Sequence, residues 1–362
     1  MSQEWEDHFQ KDERKLYRKI RKEASQKDRS KFKKTDQDQI KNRLTDQDLL
    51  PRGRILKITP EGILVDIEGK RLVCSLKGSL KQETSRLKNL IAIGDFVRLY
   101  ETTIVSIDKR TSILSRADNL SRNKEQLIAV NIDQLIISTS ILLPPLKPFL
   151  VDRYIIAAQK GNLSPIIVIN KTDLLSSPPD LIDKVKVEEE KALYEKFVNN
   201  YKKLNIPLIA VSCTTGEGID TLKNAMRGKT SVFSGQSGVG KSSLINAVTG
   251  TDLRTGFIVD RTSKGAHTTT SAELLPLEGG GFCIDTPGIK SFGIWLISRS
   301  EVRDYFSEIA ESGQMCQYPD CLHMQEPNCA VIKAVETGEI SALRFASYCA
   351  LMESVTKKHQ NR

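Results

Sequence analysis

Three short motifs follow one another along this chain in an order that few folds can satisfy. Asn170-Lys171-Thr172-Asp173 comes first, Gly235-Gln236-Ser237-Gly238-Val239-Gly240-Lys241-Ser242 second, and Asp285-Thr286-Pro287-Gly288 third. The middle one fits the phosphate-loop pattern G-x-x-x-x-G-K-[ST]. It stands between the apolar run Thr230-Ser231-Val232-Phe233 and the helical stretch Ser242 to Val248, so strand, glycine loop and helix occur in sequence. Glycines there let backbone N–H groups converge on phosphates at a helix N-terminus. Lys241 would reach the β- and γ-phosphates, and Ser242, followed by Ser243, would place a hydroxyl on Mg²⁺. The first motif ends a second apolar run, Pro165 to Ile169. A carboxylate at Asp173 accepts both the N1–H and the exocyclic amine of guanine, a donor pair that adenine lacks. Lys171 would pack its stem over the base. The usual order puts the base reader last; here it precedes the phosphate loop, which requires a circularly permuted domain.

Further candidates surround these motifs. Ser212-Cys213 ends the strand Pro207 to Val211, where backbone groups meet the guanine O6; the Cys213 thiol itself reads as a buried side chain. Asp285 ends the strand Phe282 to Asp285 and would hold Mg²⁺ through a water, while the Gly288 N–H would touch the γ-phosphate. His267-Thr268-Thr269-Thr270 lies between the phosphate-loop helix and that strand, where a switch threonine binds Mg²⁺; Thr269 is the first choice and Thr268 the second. Ile289 occupies the place where Ras-like enzymes carry a water-orienting glutamine, and it cannot orient water. His267 is the best local candidate for that task, the alternative being a solvated loop histidine.

The length of 362 residues suggests two or three domains in an α/β multidomain chain. Residues 1–48 are charged and poor in large apolar side chains, with twelve Lys/Arg and four Asp/Glu between Lys11 and Lys34. Such a segment cannot bury a core; it is either a solvated tail or an arm that orders on RNA. Residues 50–115 alternate as five strands, Arg54 to Ile58, Ile63 to Ile67, Arg71 to Leu76, Asp95 to Leu99 and Thr103 to Ile107, which suits an OB-fold barrel. Lys70 to Lys88 carries six basic residues and one acid, so its face suits an oligonucleotide, although no clear pair of stacking aromatics accompanies it. Residues 120–296 form the permuted nucleotide domain, with helices near Val151 to Lys160 and Val187 to Lys203. Residues 297–362 read as helical. The net charge of +9 agrees with a polyanionic partner. The N-terminal stretch carries no apolar run of the signal-peptide kind and no apolar run of about 18 or more residues occurs, so no membrane is expected. An odd count of seven cysteines argues for a reducing compartment, hence the cytoplasm.

Cys316-x4-Cys321-x-His323-x5-Cys329 offers three thiolates and an imidazole within fourteen residues. That donor set suits a closed, tetrahedral structural Zn²⁺ site with no position left for catalysis; reduced thiols are the alternative. Cys74, Cys283 and Cys349 read as packing thiols.

Taken together, the motif order, the barrel, the linker Thr111 to Arg116 and the Cys/His cluster resemble the RsgA (YjeQ) family of circularly permuted GTPases. The resemblance covers the chain from about residue 50 onward. It implies an N-terminal OB-fold, a central P-loop GTPase and a C-terminal zinc-binding domain that uses Cys316, Cys321, His323 and Cys329. It also implies a factor in late maturation of the small ribosomal subunit, bound to that subunit and its rRNA, whose hydrolysis of GTP to GDP is stimulated by the subunit and coupled to release. A monomer is expected. The rival expectation is a GTP/GDP-sensing rRNA-binding scaffold with little turnover. A mechanical expectation follows from the permutation: the γ-phosphate sensor leads into the zinc domain, so loss of γ-phosphate would shift that domain relative to the barrel.

Overall fold

The computed structural model describes residues 50–78, 80, 89–117, 125–250, 273–285 and 297–360. The charged tail, the His267–Thr270 loop and residues Thr286 to Gly288 with Ile289 lie outside the described residues.

Eleven strands join into one sheet that contains both a barrel and an open α/β layer. The barrel is made by β1 (Arg52–Thr59), β2 (Gly62–Ile67), β3 (Lys70–Leu76), β4 (Phe96–Tyr100) and β5 (Thr103–Ile107). Their order is β1-β2-β3-β5-β4 with β4 returning to β1, so the sheet closes and leaves no free edge. Only β3 and β5 run parallel. The small strands alternate because one face must fill the interior. Ile55, Val65, Cys74, Val97, Leu99 and Ile104 point inward and are buried. A register shift between Ile55 and Lys57 bends β1, so that its later half can leave the barrel wall.

A two-stranded ribbon, β6 (Ile113–Ala117) and β7 (Glu125–Val130), follows. The open layer is then laid down as β8 (Gln134–Ser140), β9 (Ser164–Asn170), β10 (Leu208–Ala210), β11 (Thr230–Gly235), β12 (Glu273–Pro276) and β13 (Phe282–Asp285). The spatial order is β10-β9-β8-β11-β13-β12. All neighbours run parallel except β12, which is antiparallel to β13. β8 and β11 are buried along their whole lengths, as expected of strands covered on both faces. The helices are α1 (Pro148–Lys160), α2 (Asp173–Ser176), α3 (Lys184–Lys202), α4 (Ile219–Met226) and α5 (Lys241–Thr249), then α6 (Arg299–Asp304), α7 (Ser307–Gly313), α8 (Ala330–Glu336) and α9 (Ala342–Gln360).

Helix α1 is buried from both sides. Val151, Tyr154, Ile155 and Ala158 join the core over the sheet, while Ile156 and Phe149 join the core of the C-terminal helices. Phe306 and Tyr348, fully buried and edge to face at 5.6 Å, anchor that second core. Each such side chain contributes on the order of 2–3 kcal/mol by burial. A polar knot crosses the same seam. Arg344 of α9 donates to Asp152 of α1 at 2.6 Å and to Glu308 of α7 at 2.6 Å, and Tyr201 of α3 donates to Asp152 at 2.6 Å. Burial pushes the Asp152 carboxyl up, and the Arg344 guanidinium and the neighbouring hydroxyls pull it back.

Candidate nucleotide site and metal centre

The chain lays β8, β9 and β10 outward on one side, then returns to place β11 on the other side of β8. The crevice beyond the carboxyl ends of β8 and β11 is therefore the switch point of the sheet, where such layers bind ligands. The loop Gly235 to Gly240 leaves β11 at that point and ends at α5, whose first residue is Lys241. Two glycines there are dictated by neighbours. A Cβ on Gly235, at φ +153°, would lie 2.0 Å from the Ser138 carbonyl oxygen. A Cβ on Gly240, at φ +91°, would lie 2.4 Å from Asn170 Nδ2. The loop can thus press against Ser138 of β8 and against Asn170 only without side chains at these positions. Lys241 Nζ donates to the Gly235 and Gln236 carbonyls at 2.9 and 2.8 Å, which keeps its charge over the loop. Ser237 and Gly238 are exposed at the loop tip, Val239 is buried beneath it, and Ser242 and Ser243 open α5.

Asn170 joins three segments. Its Nδ2 donates to the Val239 carbonyl at 2.9 Å, and its Oδ1 accepts from the Lys171 N–H at 2.8 Å and the Cys213 N–H at 3.4 Å. Lys171 stands at φ +66°, and its Nζ donates to the Gly238 carbonyl at 2.7 Å and to the Leu143 carbonyl. Burial lowers the Lys171 ammonium pKa, while the charge of Asp173 opposes that shift. Both the N–H and the hydroxyl of Thr172 donate to the Val211 carbonyl. Ser212 Oγ donates to Asp173 Oδ1 at 2.6 Å and accepts from the Thr214 and Thr215 N–H groups. That hydroxyl fixes the carboxylate while leaving its other oxygen to a ligand. Cys213 is half-buried; burial pushes its thiol up, against a lowering hydrogen bond from Asn170.

These contacts bring Asn170, Lys171, Thr172, Asp173, Ser212 and Cys213 together with Gly235 to Ser243 at one end of the sheet. Asp285 ends β13 beside β11, its backbone paired with Glu273 of β12. His267, Thr269 and Gly288 are outside the described residues. One element of the site was not legible in the motifs. The loop Ile141 to Lys147 after β8 braces both others, with Pro144 against Gly238 and the Leu143 carbonyl on Lys171. Glu190 of α3, buried, accepts from the Leu146 N–H at 3.1 Å and holds this loop from below. The Pro144-Pro145 pair, shortly after a buried strand that ends at Ser140, was the available signal.

The second cluster lies between α7 and α8. The ligand atoms of Cys316, Cys321, His323 and Cys329 all lie within 4.8 Å of one another. His323 turns Nδ1 toward the sulfurs, 3.5 Å from Cys316 Sγ and 3.4 Å from Cys329 Sγ, and those two sulfurs are 3.8 Å apart. Tetrahedral zinc, with Zn–S of about 2.3 Å and Zn–N of about 2.0–2.1 Å, needs edges of about 3.8 and 3.6 Å. The donor set and its spacing therefore fit Zn²⁺. Burial, with the neighbouring thiols, pushes Cys321 up to about 12, so metal binding must displace protons. The loop carrying His323 is fixed by its own backbone. Burial works against charge on Glu326, but the N–H groups of Leu322, Met324 and Gln325 outweigh it and hold the carboxyl down at about 2. Tyr348 Oη donates to the Leu322 carbonyl at 2.9 Å, and Gly313 lies where a Cβ would approach His323 Nε2 to 2.9 Å.

The family model for the RsgA GTPase matches residues 107–295. The small ribosomal subunit biogenesis GTPase RsgA of Chlorobaculum parvum is 38% identical over 318 residues, which cover 84% of this chain and 97% of that protein. The protein of the same name from Bacteroides fragilis is 35% identical over 310 residues, covering 83% and 96%. Among solved structures, YjeQ from Thermotoga maritima superposes with a TM-score of 0.64 at 30% identity, over 84% of this chain and 98% of that one. YloQ, described as a circularly permuted GTPase, gives 0.61 at 28% identity, over 85% and 96%. With its base-reader and phosphate-loop motifs in permuted order yet brought together at one end of the sheet, and with relatives that it matches over nearly their whole lengths, this chain belongs to the RsgA GTPase family.

Proposed function

We propose that this chain is a Mg²⁺-dependent GTPase that binds the small ribosomal subunit and its rRNA, acts late in the maturation of that subunit, and couples hydrolysis to release. The observation that carries the reading is that Asn170 and Lys171 bond the Val239 and Gly238 carbonyls of the loop Gly235 to Lys241, while Ser212 holds Asp173 in the same segment. In this assignment Asp173 reads guanine, with Lys171 packed beside it and Thr172, Ser212 and Cys213 framing the base. Gly235 to Gly240 cradle the phosphates and Lys241 balances their charge. Ser242, backed by Ser243, holds Mg²⁺ together with Asp285 and Thr269. Gly288 senses the γ-phosphate and His267 attends the water. The working domains are a charged extension at 1–48, a barrel at 50–115, the GTPase at 120–296 and a helical domain at 297–362. In the last of these, Cys316, Cys321, His323 and Cys329 would hold one structural Zn²⁺, which locks the loop between α7 and α8 and supplies no open position for chemistry.

The barrel offers the RNA-facing surface. Arg71, Val73, Ser75 and Lys77 point outward along β3. Thr103 pairs with Ser75 on one side and Tyr100 on the other, so the exposed Tyr100 ring stands on the same face as these side chains. An aromatic ring among basic side chains suits a stacked base with its phosphates. Among the described residues no helix is long and apolar enough to cross a membrane. We place the protein in the cytoplasm as a monomer. A competition titration tests the nucleotide assignment: GDP and GTP displace a fluorescent guanine nucleotide, whereas ADP and ATP fail to do so. Equal displacement by ATP would refute it.

A further inference from the structure

Two of the ties that leave the nucleotide sheet differ in kind. On the α1 side, the C-terminal helices are fixed by the buried knot of Asp152, Arg344, Tyr201 and Glu308 and by the core around Ile156, Phe306 and Tyr348. On the phosphate side, β12 is shared between the open layer and the barrel. Glu273 pairs across β12–β13 with Asp285, the residue that precedes Thr286-Pro287-Gly288. On its other side Glu273 pairs with Lys57 of β1, the one residue pair by which those strands meet, and their side chains form an ion pair at 2.7 Å. Three residues along β1, the Arg54 guanidinium lies 4.9 Å from the Phe282 ring of β13 and 5.1 Å from the Phe96 ring of the barrel. It donates to the Asn131 carbonyl and to Thr230 Oγ1 at the start of β11.

We propose that Lys57 and Glu273 are positioning residues through which RNA bound on the barrel acts on the phosphate end of the nucleotide site. The proposal rests on the GTPase reading above and adds a route for its stimulation. The route differs from the expectation that the γ-phosphate moves the zinc domain. The barrel stays anchored by the Ile93–Ala129 bridge, the Val130 N–H on the Ile93 carbonyl and Asn131 Nδ2 on the Gly94 carbonyl, whereas the β1–β12 contact, a single register pair with a partly exposed ion pair, can re-set locally at low cost. The bend of β1 between Ile55 and Lys57 puts the hinge beside that pair. A tilt of the barrel thus pulls on Glu273 and, through the β12–β13 ladder, on the strand end at Asp285. An ion pair between side chains 27% and 34% exposed contributes modestly to folding, so its removal leaves the protein folded.

The test compares GTP turnover, alone and with isolated small ribosomal subunits, for wild type, Lys57→Ala, Glu273→Ala and the exchanged pair Lys57→Glu with Glu273→Lys. Co-sedimentation with subunits is measured for each. The proposal predicts basal turnover within about twofold of wild type, retained co-sedimentation, and subunit stimulation reduced roughly three- to tenfold in each single variant, the scale of residue-level coupling between sites. The exchanged pair restores stimulation. Full stimulation in both single variants overturns the proposal. So does a loss that the exchange fails to restore, or a loss explained by failed co-sedimentation. Wild type that is not stimulated at all refutes the GTPase reading itself and this route with it, an outcome visible before any variant is compared.

Discussion

At the scale of single residues, the proposed assignment rests guanine specificity on the Asp173 carboxylate and the Ser212 hydroxyl that aims it. Asp173→Asn replaces an acceptor with a donor against the guanine N1–H and amine, so GDP affinity should fall at least about 100-fold, since a site built for hydrogen bonds discriminates strongly. Xanthosine diphosphate, which carries a carbonyl in place of the amine, should regain much of the loss; a fluorescent-nucleotide titration reads both. Ser212→Ala removes the bond that aims Asp173 together with the acceptor for the Thr214 and Thr215 N–H groups; the aiming bond alone contributes about 1 kcal/mol, so the complex should weaken at least roughly fivefold. In the metal knot, Glu326 has a folded-state pKa of about 2 against an ordinary value of 4.5. A depressed carboxylate contributes stability that is fully present above the unfolded value and is lost as pH falls through the folded one. The stability gap between wild type and Glu326→Gln in urea should therefore be constant above about pH 4.5 and close toward about pH 2. A gap that does not change with pH would show that the carboxylate charge is not what holds the loop. The base reader, the phosphate loop and the Cys/His set were legible because each is a fixed spacing imposed by chemistry. Glu326, Tyr348, Leu143 and Arg344 were not, because their partners are distant in sequence and any spacing would serve.

Among the elements, α1 carries the clearest energetic claim. Arg344→Ala leaves the buried Asp152 carboxylate uncompensated at the seam with α9. Breaking a buried pair from one side costs about 3–5 kcal/mol, so the urea midpoint should fall sharply, while GDP affinity of the remaining folded protein stays near wild type. A small change would mean that water or Tyr201 compensates the charge. The sequence disclosed the strands that are apolar and bounded by turns, β1 to β5, β8 to β11 and β13, but not the ribbon strands β6 and β7. It hid β12, four residues ending in Pro276, because so short a strand has no periodicity to read. The run Thr111 to Arg116 was read as a linker, yet most of it is β6, paired with β7. That ribbon is made by a partner strand, not by the segment itself. The join between barrel and open layer at β1 and β12 was equally invisible, since register across two modules leaves no local mark.

For the molecule as a whole, the Cys/His cluster with the Zn²⁺ proposed for it and the nucleotide site should fail separately. Chelation should loosen the helices after Asp304, seen as faster amide exchange in α8 and α9, while GDP binding persists; simultaneous loss of both would contradict a purely structural metal. The central claim is that this is a GTPase whose turnover answers to the small ribosomal subunit. The measurement that tests it most directly is GTP hydrolysis by the purified protein, alone and with isolated small subunits, beside Lys241→Ala. The account predicts slow turnover alone, strong stimulation by subunits, and neither in the variant. Tight GTP binding with no stimulated turnover would contradict it and leave a nucleotide-sensing RNA scaffold in its place.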